Sequence, residues 1–106
     1  MQYSPDKWLI IDISNEYGEH VFKLFASWYG GYMGSDQWRL NSGITDIKKE
    51  GDFYLIYGHS SSVYKVYKGS YGTTSYGAEI LDTFPNIRVL GDKYNWLEMG
   101  RLLTKG

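Results

Sequence analysis

The chain has 106 residues, 42% of them hydrophobic and 22% charged, with a formal net charge of −1 and no cysteine. That length holds one core and one domain, residues 1–106, and the composition excludes a disordered chain. The near-zero charge makes a duplex nucleic-acid partner an unfavourable reading, because such a partner calls for a basic face. Absence of cysteine excludes a disulfide framework and a thiolate metal site.

The N-terminal stretch MQYSPDKWLIIDI has no basic region followed by a long apolar run, so it does not read as a secretion signal. No apolar stretch approaches the ~20 residues needed to span a bilayer as a helix. The expectation is a cytoplasmic protein. Lys7 to Ile13 predicts a strand that is apolar on both faces near its middle, and therefore an interior strand. Pro5 precedes it, where a missing N–H costs nothing. Ser14 to Glu19 reads as a turn punctuated by Asn15 and Gly18.

Val21 to Tyr29 predicts a second strand, with Phe22, Leu24, Ala26 and Trp28 on the core face and Val21, Lys23, Phe25, Ser27 and Tyr29 opposite. Gly30 to Asp36 is a connection with three glycines. Its GGxxG string is not followed by a helical pattern, so a phosphate-cradling loop lacks its context there. Alternation from Gln37 starts a third strand, with a bulge or kink expected at Asn41-Ser42-Gly43. It runs through Ile44-Thr45-Asp46-Ile47 to a charged turn, Lys48 to Asp52. Phe53-Tyr54-Leu55-Ile56-Tyr57 then has the aromatic and aliphatic make-up of a buried strand. The two form a hairpin around Gly51, with either Lys48 or Lys49 set opposite Phe53.

Gly58-His59-Ser60-Ser61-Ser62 breaks the pattern and reads as a loop whose N–H groups and hydroxyls suit an anion or polar ligand. Val63 to Lys68 combines helical spacing with strand-forming residues and is read as a fifth strand. Gly69 to Gly77 is an uncharged polar loop. Ala78 to Phe84 predicts a short helix ended by Pro85. Asn86 to Gly91 predicts a short strand, and Tyr94 to Leu103 a last helix, with Trp96, Leu97 and Leu103 inward and Gly100 a cost of about 1 kcal/mol. Together these predict an α+β fold: an antiparallel meander of four to five strands closed on one face by one or two short C-terminal helices.

The segment QWRLNSGI followed by YLIYGHSSSVYKVYKGSYG resembles small bacteriophage-encoded accessory proteins of the host-takeover or anti-defence type. The resemblance covers about the middle half of the chain and rests on Gly, Ser and Tyr, which also build ordinary hairpins. It implies a non-enzymatic protein that inhibits a host factor, and it brings no catalytic residues.

Eleven tyrosines, four tryptophans and four phenylalanines are the compositional excess. Tyr joins an apolar face to a polar tip and recurs on recognition surfaces, while β-rich proteins also use it to cover sheets. Trp38, Tyr64, Tyr67 and Tyr71 are the candidate anchors for a protein partner. The other binding reading is sequestration of a small anionic signalling nucleotide by Arg39, His59, Ser60, Ser61 and Ser62 with nearby tyrosines. Arg39 beside Trp38 reads equally as a surface arginine on a mixed strand face.

Lys65 and Lys68 interleave with Tyr64, Tyr67 and Tyr71 as single-strand stacking platforms do, but lysines on a strand more often form a solvated face. His20 and His59 have no paired-ligand spacing, so neither a metal nor a cofactor is expected. His59 beside three serines lacks a nucleophile elbow, and catalysis is not expected of it. Exposed strand edges and the aromatic excess favour a two-fold homodimer.

Overall fold

A computed structural model describes residues 2–30 and 37–91. The expected helix at Tyr94 to Leu103 and most of the Gly30–Asp36 connection lie outside the described residues. The strands are β1 (Gln2–Tyr3), β2 (Lys7–Ser14), β3 (His20–Trp28), β4 (Gln37–Leu40), β5 (Ile44–Glu50), β6 (Phe53–Gly58), β7 (Val63–Tyr67) and β8 (Ile87–Val89). One helix, α1 (Ser75–Leu81), lies between β7 and β8. The result is a mixed, mostly β fold in two four-stranded sheets, ordered β1-β7-β6-β5 and β4-β3-β2-β8.

The expected single antiparallel meander needs correction on both counts. There are two sheets, and β1 pairs with β7 in parallel, Gln2 opposite Val63 and Tyr3 opposite Tyr64. The chain passes between sheets three times, at two short bends and once between β7 and β8 through α1. At the first, Ser4-Pro5-Asp6 carries β1 into β2, and the Asp6 N–H donates to the Ser27 carbonyl at 3.1 Å. The second lies at Asn41-Ser42-Gly43, where a kink inside one strand was expected. It separates β4 and β5 into different sheets instead. The bulge falls later, between Ile44 and Asp46. Traced through these bends, five strands follow one another as a meander, and β7 returns to β1 to complete a flattened ring.

The hairpin register matches neither expected pairing. Glu50 faces Phe53, leaving Gly51-Asp52 as a two-residue loop. Gly51 takes φ +61°, and of the two loop residues it alone is positive, the pattern of a turn with glycine at its first central position.

The core between the sheets follows the alternation of β2 and β3. Trp8, Ile10, Leu24 and Ala26 meet Ile47, Ile56, Tyr64 and Val66 there. Burying an aliphatic side chain of this kind contributes about 1.5–3 kcal/mol. The Trp8 indole N–H donates to the Tyr67 carbonyl at 2.7 Å, satisfying its polar atom inside the ring.

The face of β3 opposite Leu24 and Ala26 was not read as core, yet Phe25 and Ser27 on it are fully buried. With Leu9 and Ile11 they lie under α1, whose Leu81 completes a second core. Gly77 makes that contact possible. A Cβ there would stand 2.0 Å from Thr73 Oγ1 and 2.9 Å from Ser27 Oγ. The helix starts three residues earlier than the sequence predicts because Thr74 caps it, its side chain accepting from the Gly77 N–H at 3.0 Å. The Gly69–Gly77 segment is therefore ordered at both ends, by a 3₁₀ turn at Lys68–Ser70 and by this cap.

Candidate binding cleft

β1 and β4 are the outer strands of their sheets, and a cleft of about 540 Å³ opens beside them. Its walls are Gln2, Tyr3 and Ser4 on one side and Gln37, Trp38 and Arg39 on the other, with Trp28 and Tyr29 completing it. The volume is in the range of small-ligand pockets. Alternation along β4 divides its side chains. Trp38 turns to the helix side, stacked on Phe25 at 5.5 Å and edge-on to Phe84 at 5.7 Å. Arg39 turns the other way and lies over the Tyr3 ring, 4.6 Å from its centre, while donating to the Tyr3 hydroxyl at 2.8 Å. Tyr3 in turn stacks on Tyr64 at 5.1 Å and meets Trp28 edge-on at 6.4 Å.

Of the expected anchors, Trp38 keeps 36% of its surface exposed. Tyr64 keeps only 2% and belongs to the core, so its contribution is to hold Tyr3. Burial raises the Tyr64 phenol above its ordinary pKa, against the lowering effect of Arg39. Tyr71 is inside as well. Its hydroxyl donates to the Leu90 carbonyl and accepts from the Ile10 N–H at 3.2 Å, and its ring packs edge-on to Trp8 at 4.8 Å. Tyr67 is 47% exposed, but it lies at the far end of β7, beside Phe53 at 5.6 Å. The four aromatics thus do not form one patch.

The nucleotide reading places Arg39 and the Gly58–Ser62 loop together. Arg39 spends its contacts on Tyr3, and the loop is anchored to the second bend. Ser60 N–H donates to Ser42 Oγ at 2.9 Å, and Ser62 N–H to Ser60 Oγ at 3.4 Å. His59 packs on Gly43, where a Cβ would stand 3.0 Å from its ring. Ser61 also has a partner. Ser60 and His59 thus touch the bend.

Two groups of residues escaped the sequence reading. Tyr3 and Trp28 line the cleft, and only the two-residue strand β1 brings Tyr3 there. The second group surrounds a smaller hollow of about 390 Å³. Asp12, 6% exposed, accepts from His20 Nδ1 at 2.8 Å and from Arg88 at 3.2 Å. A carboxylate inside the run Trp8-Leu9-Ile10-Ile11-Asp12-Ile13, at the parity of Trp8 and Ile10, was its available signal.

Among the described residues there is no cluster of His, Asp or Glu able to hold a metal ion, and no helix long and apolar enough to cross a membrane. No family model, curated protein or solved structure matches the chain.

Proposed function

We propose that this is a non-enzymatic binding protein that inhibits a partner protein by direct contact through the cleft beside β1 and β4. The observation that supports the reading is Arg39 laid over Tyr3 at the cleft wall, with Trp28 behind it and exposed Trp38 at the rim. Arginine and tryptophan or tyrosine around a recess are the residue types that dominate binding energy in protein interfaces. The outer strands on either side add backbone groups that an extended partner segment can pair with. The resemblance of the central stretch to bacteriophage accessory proteins makes a host factor in the cytoplasm the expected target, and the outer strands among the described residues leave room for a homodimer.

The test is capture from host extract by the purified protein, compared with Arg39→Glu. Arg39 is a surface residue, so the variant should melt like the parent. A protein retained by the parent and lost with Arg39→Glu supports the reading. Equal retention by both overturns the cleft as the working surface.

The sequestration of a small anionic nucleotide is a second reading for the same cleft, favoured by its volume and by a guanidinium beside an aromatic wall. Thermal unfolding against a nucleotide panel separates the two, since a ligand that binds the native state raises the melting temperature by linkage. A shift lost with Arg39→Glu supports the nucleotide, and no shift with any nucleotide removes it.

A further inference from the structure

β5 is the longest of the outer strands, seven residues against four in β4, three in β8 and two in β1. Among the described residues no strand lies beyond it. The ladder fixes where its backbone groups point. The Lys68 N–H donates to the Asp52 carbonyl at 3.0 Å, so Asp52, Tyr54 and Ile56 bond toward β7, and Phe53, Leu55 and Tyr57 bond toward β5. Their partners Glu50, Lys48 and Asp46 therefore bond inward. Ile47 and Lys49 are left with their N–H and C=O groups aimed out of the sheet. Such a row is a template for another strand.

The strand itself closes the middle of that row. The Ile47 N–H donates to Asp46 Oδ1 at 2.9 Å. Two neighbouring residues make this bond without any association. Pairing with another chain must first offset about 4–15 kcal/mol of lost translational and rotational freedom. The bulge just before Asp46 bends the edge further from a straight template.

Behind that closure, the edge fits a second copy of itself. With a two-fold axis at Ile47, antiparallel pairing sets Ile47 opposite Ile47 and residue 46 opposite Lys48. The second pair falls at a position without hydrogen bonds, where facing side chains come closest. Ile47 is buried on the core face, so the two isoleucines would continue the core across the joint. An axis at Lys49 would set like charges directly opposite. An axis at Thr45 would run the ladder into the bulge.

We propose that the β5 edge is an interaction surface for the same edge of a second copy, paired antiparallel about Ile47, and that Asp46 holds it shut. With the carboxylate in place, the Ile47 N–H is satisfied within its own chain. Without it, that N–H lacks an acceptor, and the Ile47 carbonyl of the second copy supplies one. The surface is separate from the cleft and does not depend on what the cleft binds.

The experiment is sedimentation velocity over a concentration series. Asp46→Ala should form a species of twice the parent's mass. Asp46→Asn keeps a side-chain oxygen for the Ile47 N–H and should sediment like the parent. Lys49→Pro added to Asp46→Ala should abolish the association, because it removes an outward N–H and no bond to β6. Amide exchange at Ile47 in Asp46→Ala should slow as protein concentration rises. Arg39→Glu added to Asp46→Ala should leave the association unchanged, which keeps this result distinct from the partner capture. Thermal unfolding confirms that each variant stays folded. The proposal is overturned if Asp46→Ala sediments like the parent, if Asp46→Asn associates as readily as Asp46→Ala, if Lys49→Pro leaves the association intact, or if exchange at Ile47 is independent of concentration.

Discussion

Leu24 and Asn41 are bonded to each other twice. The Asn41 N–H donates to the Leu24 carbonyl at 3.0 Å, and the Leu24 N–H donates to Asn41 Oδ1 at 2.8 Å. The second bond would belong to a backbone carbonyl if β4 ran on straight. The side chain replaces that carbonyl, so the backbone is free to turn toward the other sheet. Asn41 Oδ1 also accepts from the Gly43 N–H at 3.2 Å, which sets the far side of the bend.

Asn41→Ala should therefore leave the buried Leu24 N–H unpaired, at a cost of about 1–3 kcal/mol. Urea unfolding measures the loss. Amide exchange at Leu24 should accelerate more than exchange at Ile10, and equal protection at Leu24 in parent and variant would show that the bend does not depend on the side chain.

Gly77→Ala tests how closely α1 packs. On helix propensity alone the change should stabilise by about 0.5–1 kcal/mol. The added methyl would meet Thr73 Oγ1, Ser27 Oγ and Phe25 Cε1. Overpacking of this kind costs about 1–3 kcal/mol, so a net loss is expected. A rise in melting temperature would mean that the helix stands off the sheet.

Tyr64 gives a pH dependence with a definite sign. Burial raises its folded pKa, while the unfolded phenol ionises near its ordinary value of about 10. The native state thus keeps a proton that the unfolded state has lost. The stabilisation is whole below about pH 10 and is lost as pH rises through the folded pKa. The urea midpoint should fall between about pH 9 and pH 11, and by less in Tyr64→Phe.

Asp12 and Arg88 should prove unequal partners. Arg88 is 72% exposed, so Arg88→Ala should cost less than about 1 kcal/mol. Asp12→Ala removes the acceptor of both His20 and Arg88 and should cost more, about 1–3 kcal/mol. Equal losses in urea unfolding would show that the His20 bond contributes nothing.

Much of the fold is legible in particular residues. Trp8 to Ile13 reads as an interior strand because it is apolar at both parities, and the structure places it between β3 and β8. Phe53 to Tyr57 and Gly51 announce the hairpin. Its register is less legible, because shifting the turn by a residue changes little in a run of Lys, Lys and Glu. The change of sheet at Asn41-Ser42-Gly43 is not legible, since those residues serve a bulge and a bend equally well. Gln2-Tyr3 is too short to show alternation, so the parallel pairing leaves no trace in the pattern. Phe25 and Ser27 look solvent-facing until the helix that covers them is placed. Tyr64 and Tyr71 mislead for a chemical reason: a phenol that finds a partner can be buried as readily as it can be shown.

The ring is shut by β1, the shortest strand among the described residues. Gln2 and Tyr3 reach residues some 60 positions along the chain, and they do so over a two-residue ladder. Loop-closure entropy places such a long-range join late in folding, after the local hairpins have formed. The same brevity makes it the first seam to part in the native state. When it parts, Tyr3 leaves Arg39, the cleft wall is lost and the outer edge of β7 is bared. Amide exchange at Tyr3 and Tyr64 would therefore clock how often the binding surface is dismantled while the rest of the two sheets stays whole.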